Sequence, residues 1–183
     1  MTEFETPALG SVVEADRGSL PFALIHGEAL VACAVWALGE AGVTPVDFTV
    51  PWEAVAEAGE AYVLHDALCP MTPASFVAEC VQQAVEHDAV VVAFRPVTDT
   101  VKTVADGMVG GTLDRSDLVE VTSPIVLPAS VVAQLDVAPS GDFAAIAAAL
   151  ATRFRVVTLE APAEGRRVAD LDDVRVLEAL TLG

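Results

Sequence analysis

Residues 62–94, YVLHDALCPMTPASFVAECVQQAVEHDAVVVAF, carry the pattern from which the rest of the fold can be read. Tyr62-Val63-Leu64 is a short β-type run. Thr72-Pro73 reads as a helix start, a capping hydroxyl followed by proline at the first helical position. Phe76, Val77, Cys80, Val81, Ala84 and Val85 then recur on one helical face. Residues 89–94 are apolar without interruption, as in a strand buried on both faces. Strand, helix, strand is the unit of a parallel sheet covered by helices.

The same alternation extends in both directions. Ser11-Val12-Val13 reads as a first strand, with a turn at residues 16–19. Residues 28–40 read as a helix stopped at Gly42. Residues 46–50 are β-like and end at Pro51. Downstream, residues 127–135 and 143–153 read as helices, and residues 155–159 as a strand. Residues 170–180 form a closing helix with acidic residues in its first turn. Residues 98–115 differ. They place β-type residues on both sides of Asp106-Gly107, a turn pair, and so predict a hairpin projecting from the body. The expectation is a single domain over residues 1–183, with a mostly parallel sheet covered on both faces.

Composition narrows the function. The chain has 183 residues, 54% hydrophobic and 20% charged, which suits a globular domain with its own core. Nine Lys and Arg stand against 27 Asp and Glu, a formal charge of −18. Such a field repels polyphosphate, so neither nucleic acid nor an anionic membrane surface is an expected partner. No stretch is apolar for the roughly 20 residues of a membrane span. The acidic start at Met1-Thr2-Glu3 is unlike a signal peptide. Cys33, Cys69 and Cys80 match no zinc spacing and read as reduced thiols of a cytoplasmic protein, Cys33 and Cys80 as core. His26, His65 and His87 share no metal spacing. No Gly-x-Ser-x-Gly elbow is present. Ser11, Ser19 and Ser75 read as turn or capping hydroxyls.

Four segments carry a resemblance. His65-Asp66-Ala67-Leu68-Cys69-Pro70 resembles the His-Asp-Ala-Ala-Arg-Pro motif of the 2-C-methyl-D-erythritol 4-phosphate cytidylyltransferases. Pro96-Val97-Thr98-Asp99-Thr100-Val101-Lys102 is similar to that family's Pro-Val-x-Asp-Thr-(Ile/Met)-Lys. Thr112-Leu113-Asp114-Arg115 with Ser123-Pro124, and Glu164-Gly165-Arg166-Arg167-Val168 with Leu171-Asp172-Asp173-Val174, resemble its later elements in the right order. The resemblance covers residues 62–180 and implies a Rossmann-like nucleotidyltransferase three-layer sandwich. It implies a β-arm that swaps across a homodimer, which coincides with the hairpin at 98–115. The family's enzymes join the cytidylyl group of CTP to a sugar-alcohol phosphate and release pyrophosphate, with Mg2+.

Carried over residue by residue, the resemblance assigns Asp66 and Arg167 to catalysis. It assigns Thr100, Lys102, Arg115 and Ser123 to the sugar phosphate, and Asp66 with Glu164 to a metal. Arg17 and Gly18 are what remains of the nucleotide loop. The family's first strand runs into Ala-Ala-Gly-x-Gly-x-Arg and Pro-Lys, whose amides and cations hold the triphosphate. Here Val13-Glu14-Ala15-Asp16-Arg17-Gly18-Ser19-Leu20-Pro21-Phe22 is shorter, more acidic, and has Phe22 at the lysine position. The family's Gly-Gly-x-x-Arg-x-x-Ser-Val segment for cytosine has no counterpart, since Pro51-Trp52 runs almost directly into Tyr62. Trp52 reads as a core-edge residue and Arg17 as a solvated loop residue. Cys69 replaces the motif's arginine.

These residues imply a divergent, shortened family member with its CTP half degraded and its activity weak or lost, needing Mg2+ if active. The sugar-phosphate half and a homodimer through the arm are expected to remain. Two alternatives stay open: a non-catalytic or regulatory partner of an active paralogue, as a heterodimer, or an active transferase for another nucleotide or sugar phosphate.

Overall fold

The computed structural model describes residues 6–97, 102–105, 108–112 and 118–183, the two short middle segments by backbone alone. Ten strands and six α-helices are present among them: β1 (Ala8–Val13), β2 (Leu24–Ile25), β3 (Glu28–Ala29), α1 (Leu30–Glu40), β4 (Val43–Pro45), α2 (Trp52–Glu57), β5 (Ala61–Asp66), α3 (Ala74–His87), β6 (Val90–Pro96), β7 (Lys102–Ala105), β8 (Met108–Thr112), β9 (Val119–Leu127), α4 (Ala129–Val132), α5 (Phe143–Ala151), β10 (Val156–Glu160) and α6 (Leu171–Leu180). Six strands form one sheet in the order β10-β6-β9-β5-β1-β4. Only β9 runs antiparallel to its neighbours. The protein is therefore a mixed α/β fold with a mostly parallel sheet between two helical layers.

The two faces follow from the period of 2 in the strands. Val63, Val91, Ala93 and Val126 pack with Leu38 of α1 and Val77 and Cys80 of α3. Their neighbours Tyr62, Leu64, Val92 and Ile125 pack on the opposite face with Val55 of α2, Val132 of α4 and Ile146 of α5. Each fully buried Leu or Ile in these clusters contributes roughly 1.5–3 kcal/mol. A third cluster (Ile25, Leu30, Leu68, Val168, Val174 and Leu177) lies beyond the strand ends and docks α6 onto the body.

Several boundaries differ from the sequence reading. The β-like residues 46–50 are a loop, because the edge strand β4 ends at Pro45. Pro73, not Thr72, is the N-cap of α3; the Thr72 hydroxyl donates to the Cys69 carbonyl at 3.0 Å instead. The helix expected at 127–135 is limited to α4, because Leu127 is the last residue of β9. β9 itself was not foreseen. The hairpin is present as backbone: β7 and β8 pair antiparallel, Ala105 with Met108, and form a sheet of their own. The turn pair Asp106-Gly107 lies outside the described residues.

Strand order reverses direction at β1. From there the chain crosses to β4 on one side, and β5 lies on the other. Ligand sites in open α/β sheets form beyond the strand ends at such a switch point. The register sets Val13, the end of β1, beside Asp66, the end of β5.

That register depends on Gly10. A Cβ there would stand 2.8 Å from Val43 Cγ1 and 2.8 Å from the Val63 carbonyl, so β1 sits too close to both neighbours for any side chain. Gly10→Ala is expected to destabilise the fold by about 1–3 kcal/mol, read from urea unfolding midpoints. An unchanged midpoint would show that β1 has room to move.

Candidate active site

Asp66 ends a strand whose six residues are all buried, and it is itself fully buried. An ionised carboxylate in such a place needs partners. It has four. The Arg17 guanidinium donates through Nε to one oxygen at 2.7 Å and through Nη2 to the other at 3.2 Å. Arg167 Nε donates to the second oxygen at 3.2 Å, and the Leu68 amide donates to the first at 2.9 Å. The Arg17 fork is the bidentate geometry that makes arginine–carboxylate pairs strong.

Arg17 is not the solvated loop residue expected from sequence. Its side chain is 4% exposed. Asp16 and Gly18, on either side of it, both take positive φ (63° and 60°), which folds the turn back over the strand ends. The guanidinium also donates to the carbonyls of Ala15, at 2.6 Å, and Gly141, at 3.1 Å. It lies 5.6 Å from the ring centroid of Phe143, within reach of a cation–π contact. Arg167 reaches Asp66 because the following residue is anchored. Val168 is buried in the third cluster and its amide donates to the Leu68 carbonyl at 2.8 Å.

Ser123 supports the same carboxylate from behind. Its Oγ accepts the Asp66 amide at 2.8 Å and lies 2.5 Å from His65 Nδ1. The hydroxyl and the imidazole thus share one hydrogen bond, whose direction depends on the tautomer of the ring. Nε2 has no partner among the described residues. Burial lowers the pKa of His65 to about 4, against the opposing pull of Asp66. Neutral His65 is therefore a structural part of this end of the sheet.

One contributor was not foreseen. Glu120, on β9, is exposed to solvent on one side, and its carboxyl is pushed up by partial desolvation while Arg167, Arg166 and Arg95 pull it down. The signal was the apolar–polar alternation of Val119-Glu120-Val121-Thr122, which marks a strand rather than the loop before Ser123-Pro124. Cys69 is fully buried and its thiol is raised well above its usual range, first by burial and then by Asp66. That holds it protonated and excludes the nucleophilic setting a reactive thiol needs.

The remaining expected residues divide in two. Glu164 lines a cleft with Glu79, Glu160 and Pro162. Thr100 and Arg115 lie outside the described residues, and Lys102 is described by backbone alone. No three His, Cys, Asp or Glu side chains gather as a metal centre among the described residues. Asp66 is already saturated by guanidinium and amide donors, whose positive field disfavours a cation. The described residues do not fit a resident Mg2+, and no step is derived through one.

Two outcomes are expected. Arg17→Ala leaves a buried carboxylate short of its main partner and is expected to cost about 3–5 kcal/mol. Arg17→Lys keeps the charge without the fork and falls between. Arg175→Ala, which breaks an exposed pair with Asp172, leaves the unfolding curve unchanged. Equal curves for Arg17→Ala and wild type would remove the clamp from this account. Second, because the His65 pKa is lowered, the unfolded chain binds one more proton between about pH 6.5 and 4. Its contribution is complete above that window and is lost as pH falls through it, by about 3 kcal/mol. In His65→Asn the pH profile of the urea midpoint flattens across that window; an identical profile would contradict the assignment.

The comparisons with known proteins agree with this geometry. The profile of the family described as IspD: 2-C-methyl-D-erythritol 4-phosphate cytidylyltransferase matches residues 48–151, more than half of the chain. Among proteins bearing that enzyme name, the one from Rhodococcus jostii is 40% identical over 72 residues, 39% of this chain and 32% of that protein. The one from Corynebacterium diphtheriae is 30% identical over 105 residues, 57% of this chain and 38% of that one. Bifunctional IspD/IspF enzymes of Nitratidesulfovibrio vulgaris are 43% identical over 65 residues, with only 16% of their length matched. The chain thus spans well under half of these curated relatives. The structure of the cytidylyltransferase from Thermus thermophilus superposes with a TM-score of 0.69 at 19% identity, covering 93% of this chain and 96% of that one. That of Francisella tularensis gives 0.63 at 14%, covering 92% and 97%. At such identity the likeness carries the fold, and the profile match carries the family. The chain belongs to the 2-C-methyl-D-erythritol 4-phosphate cytidylyltransferase family.

Proposed function

We propose that this chain is a family member whose cytidylyl transfer is weak or lost and whose sugar-phosphate half survives. The observation that carries this reading is the occupation of Asp66. In the family's reaction a phosphate oxygen of the sugar phosphate attacks the α-phosphorus of CTP, and pyrophosphate leaves. The charge that builds on the transferring group needs cations and amide donors already in place. Here the single cation of the loop after β1, Arg17, is folded away onto Asp66. Glu14 and Asp16 add negative charge beside it. One absent oxyanion donor already costs about 2.7–4 kcal/mol of transition-state stabilisation, and several are absent.

Arg167 is different. It is 28% exposed and makes one contact with Asp66, so it presents guanidinium donors to solvent. With Arg166 and Arg95 near Glu120, it forms the positive side of the site. Such a group suits one phosphomonoester better than a triphosphate. We infer a homodimer in the cytoplasm as the working state.

A second reading is favoured by the β7–β8 hairpin, whose backbone among the described residues pairs only with itself. It is a candidate contact with an active paralogue, which this chain would regulate as a mixed dimer. A transferase for another nucleotide would instead bring its own cation source, from the arm or from a bound metal.

The test follows phosphorus NMR of purified protein with CTP, Mg2+ and methylerythritol phosphate. No CDP-methylerythritol above the uncatalysed background is expected, while calorimetry registers the sugar phosphate alone. Arg167→Ala is expected to weaken that binding about tenfold, the loss of one charged hydrogen bond. Steady product formation would overturn the reading.

A further inference from the structure

A groove of about 1320 Å3 lies at the β4 edge of the sheet, lined by the loop after β1, by α1 and by the loop after β4. It is larger than the roughly 300–1,000 Å3 of small-molecule sites. Its rim holds Trp36 and Val35 of α1 and Phe48 and Val50 of the following loop. Phe48 is 99% exposed and Trp36 62%. These are two of the three exposed large aromatic side chains among the described residues. Aromatic groups gathered at one rim and standing in water mark a surface that a macromolecule covers.

Phe48 is presented, not merely left out. Asp47 accepts from the Thr49 amide at 2.7 Å and from the Thr49 hydroxyl, and the Val50 amide donates to the Asp47 carbonyl at 3.2 Å. This tight turn holds Phe48 at its tip, which lowers the ordering cost of binding.

Two observations choose the occupant. The charged groups lining the groove are Glu14, Glu40 and Asp47, with no Lys or Arg among the lining residues. The hydrogen bonds from Thr49 also lower the Asp47 pKa, which keeps that carboxylate ionised. A second copy of this chain, itself at −18, would meet like charge here. Strand addition along the edge is also poorly served. β4 has three residues and ends in Pro45, which has no amide hydrogen to donate. We propose that this groove docks a segment of another protein that combines aliphatic or aromatic anchors with Lys or Arg, held by side-chain contacts at Phe48 and Trp36. The inference rests on the reading that the nucleotide half is degraded, since Glu14 and Ala15 of the loop after β1 line this groove.

The test uses two labelled twelve-residue peptides of Leu, Phe and Arg, or of Leu, Phe and Glu, in fluorescence anisotropy with the full chain. The arginine peptide is expected to bind and to lose about tenfold or more in affinity on Phe48→Ser, the truncation of an anchor. Leu182→Ser, which alters an equally polar-facing apolar residue elsewhere (71% exposed), leaves the affinity unchanged. The glutamate peptide does not bind. Absence of binding, equal affinity for Phe48→Ser and wild type, or binding of both peptides would overturn the proposal. So would a concentration-dependent dimer abolished by Phe48→Ser in sedimentation, which would assign the groove to a second copy.

Discussion

A carboxylate buried at the end of a central strand organises this end of the molecule. Asp66 cannot sit there ionised without donors, and the fold brings them from three separate places in the chain. Arg17 comes from the turn after β1, Arg167 from the segment before α6 and Leu68 from its own loop, while Ser123 of β9 accepts the Asp66 backbone amide. Each donor has its own support. The two positive-φ residues around Arg17 aim it inward. The cluster around Leu177 and Val168 holds the segment that carries Arg167. Removing the carboxylate would leave two guanidiniums facing each other, and removing Arg17 would leave the charge inside. The ion pair and the turn are thus parts of one arrangement.

That arrangement has a functional consequence. At a sheet's switch point, helix and loop amides ordinarily point into an open space that receives phosphate. Here the loop is short and closes onto the protein's own carboxylate. The cations that an acidic chain can supply are few, and the described ones near the strand ends are held by Asp66 and Glu120. Charge is balanced internally. Beside the closed site the sheet edge exposes aromatic side chains within an acidic rim. On the proposed reading, polyphosphate is disfavoured on both counts, by occupied donors on one side and by negative charge on the other.

Much of the fold was legible in the sequence, because it depends on local period. The strand–helix–strand unit at residues 62–94 and a hairpin within residues 98–115 follow from alternation, run length and the Asp106-Gly107 turn pair. β9 was not legible. Glu120, Thr122 and Ser123 break its apolar character at the strand's outer end, where it approaches the site. Residues 46–50 have β-type side chains but no strand to pair with beyond β4. For the site, Asp66, Ser123 and Arg167 were recognisable from motif order, and the structure brings them together. The inward turn of Arg17 was not, since its partner is 49 positions away and only the folded register sets Val13 beside Asp66. Glu164 was placed with Asp66 by motif order alone, and it lines a cleft with Glu79 and Glu160.

The most direct measurement is a calorimetric titration of the purified protein with CTP in the presence of Mg2+. No saturable heat is expected at millimolar nucleotide, because Arg17 remains on Asp66 and the exposed cation there, Arg167, suits a single phosphate. Saturable binding that disappears in Arg17→Ala would show that Arg17 leaves the carboxylate for the nucleotide, and would contradict the claim that this site is closed.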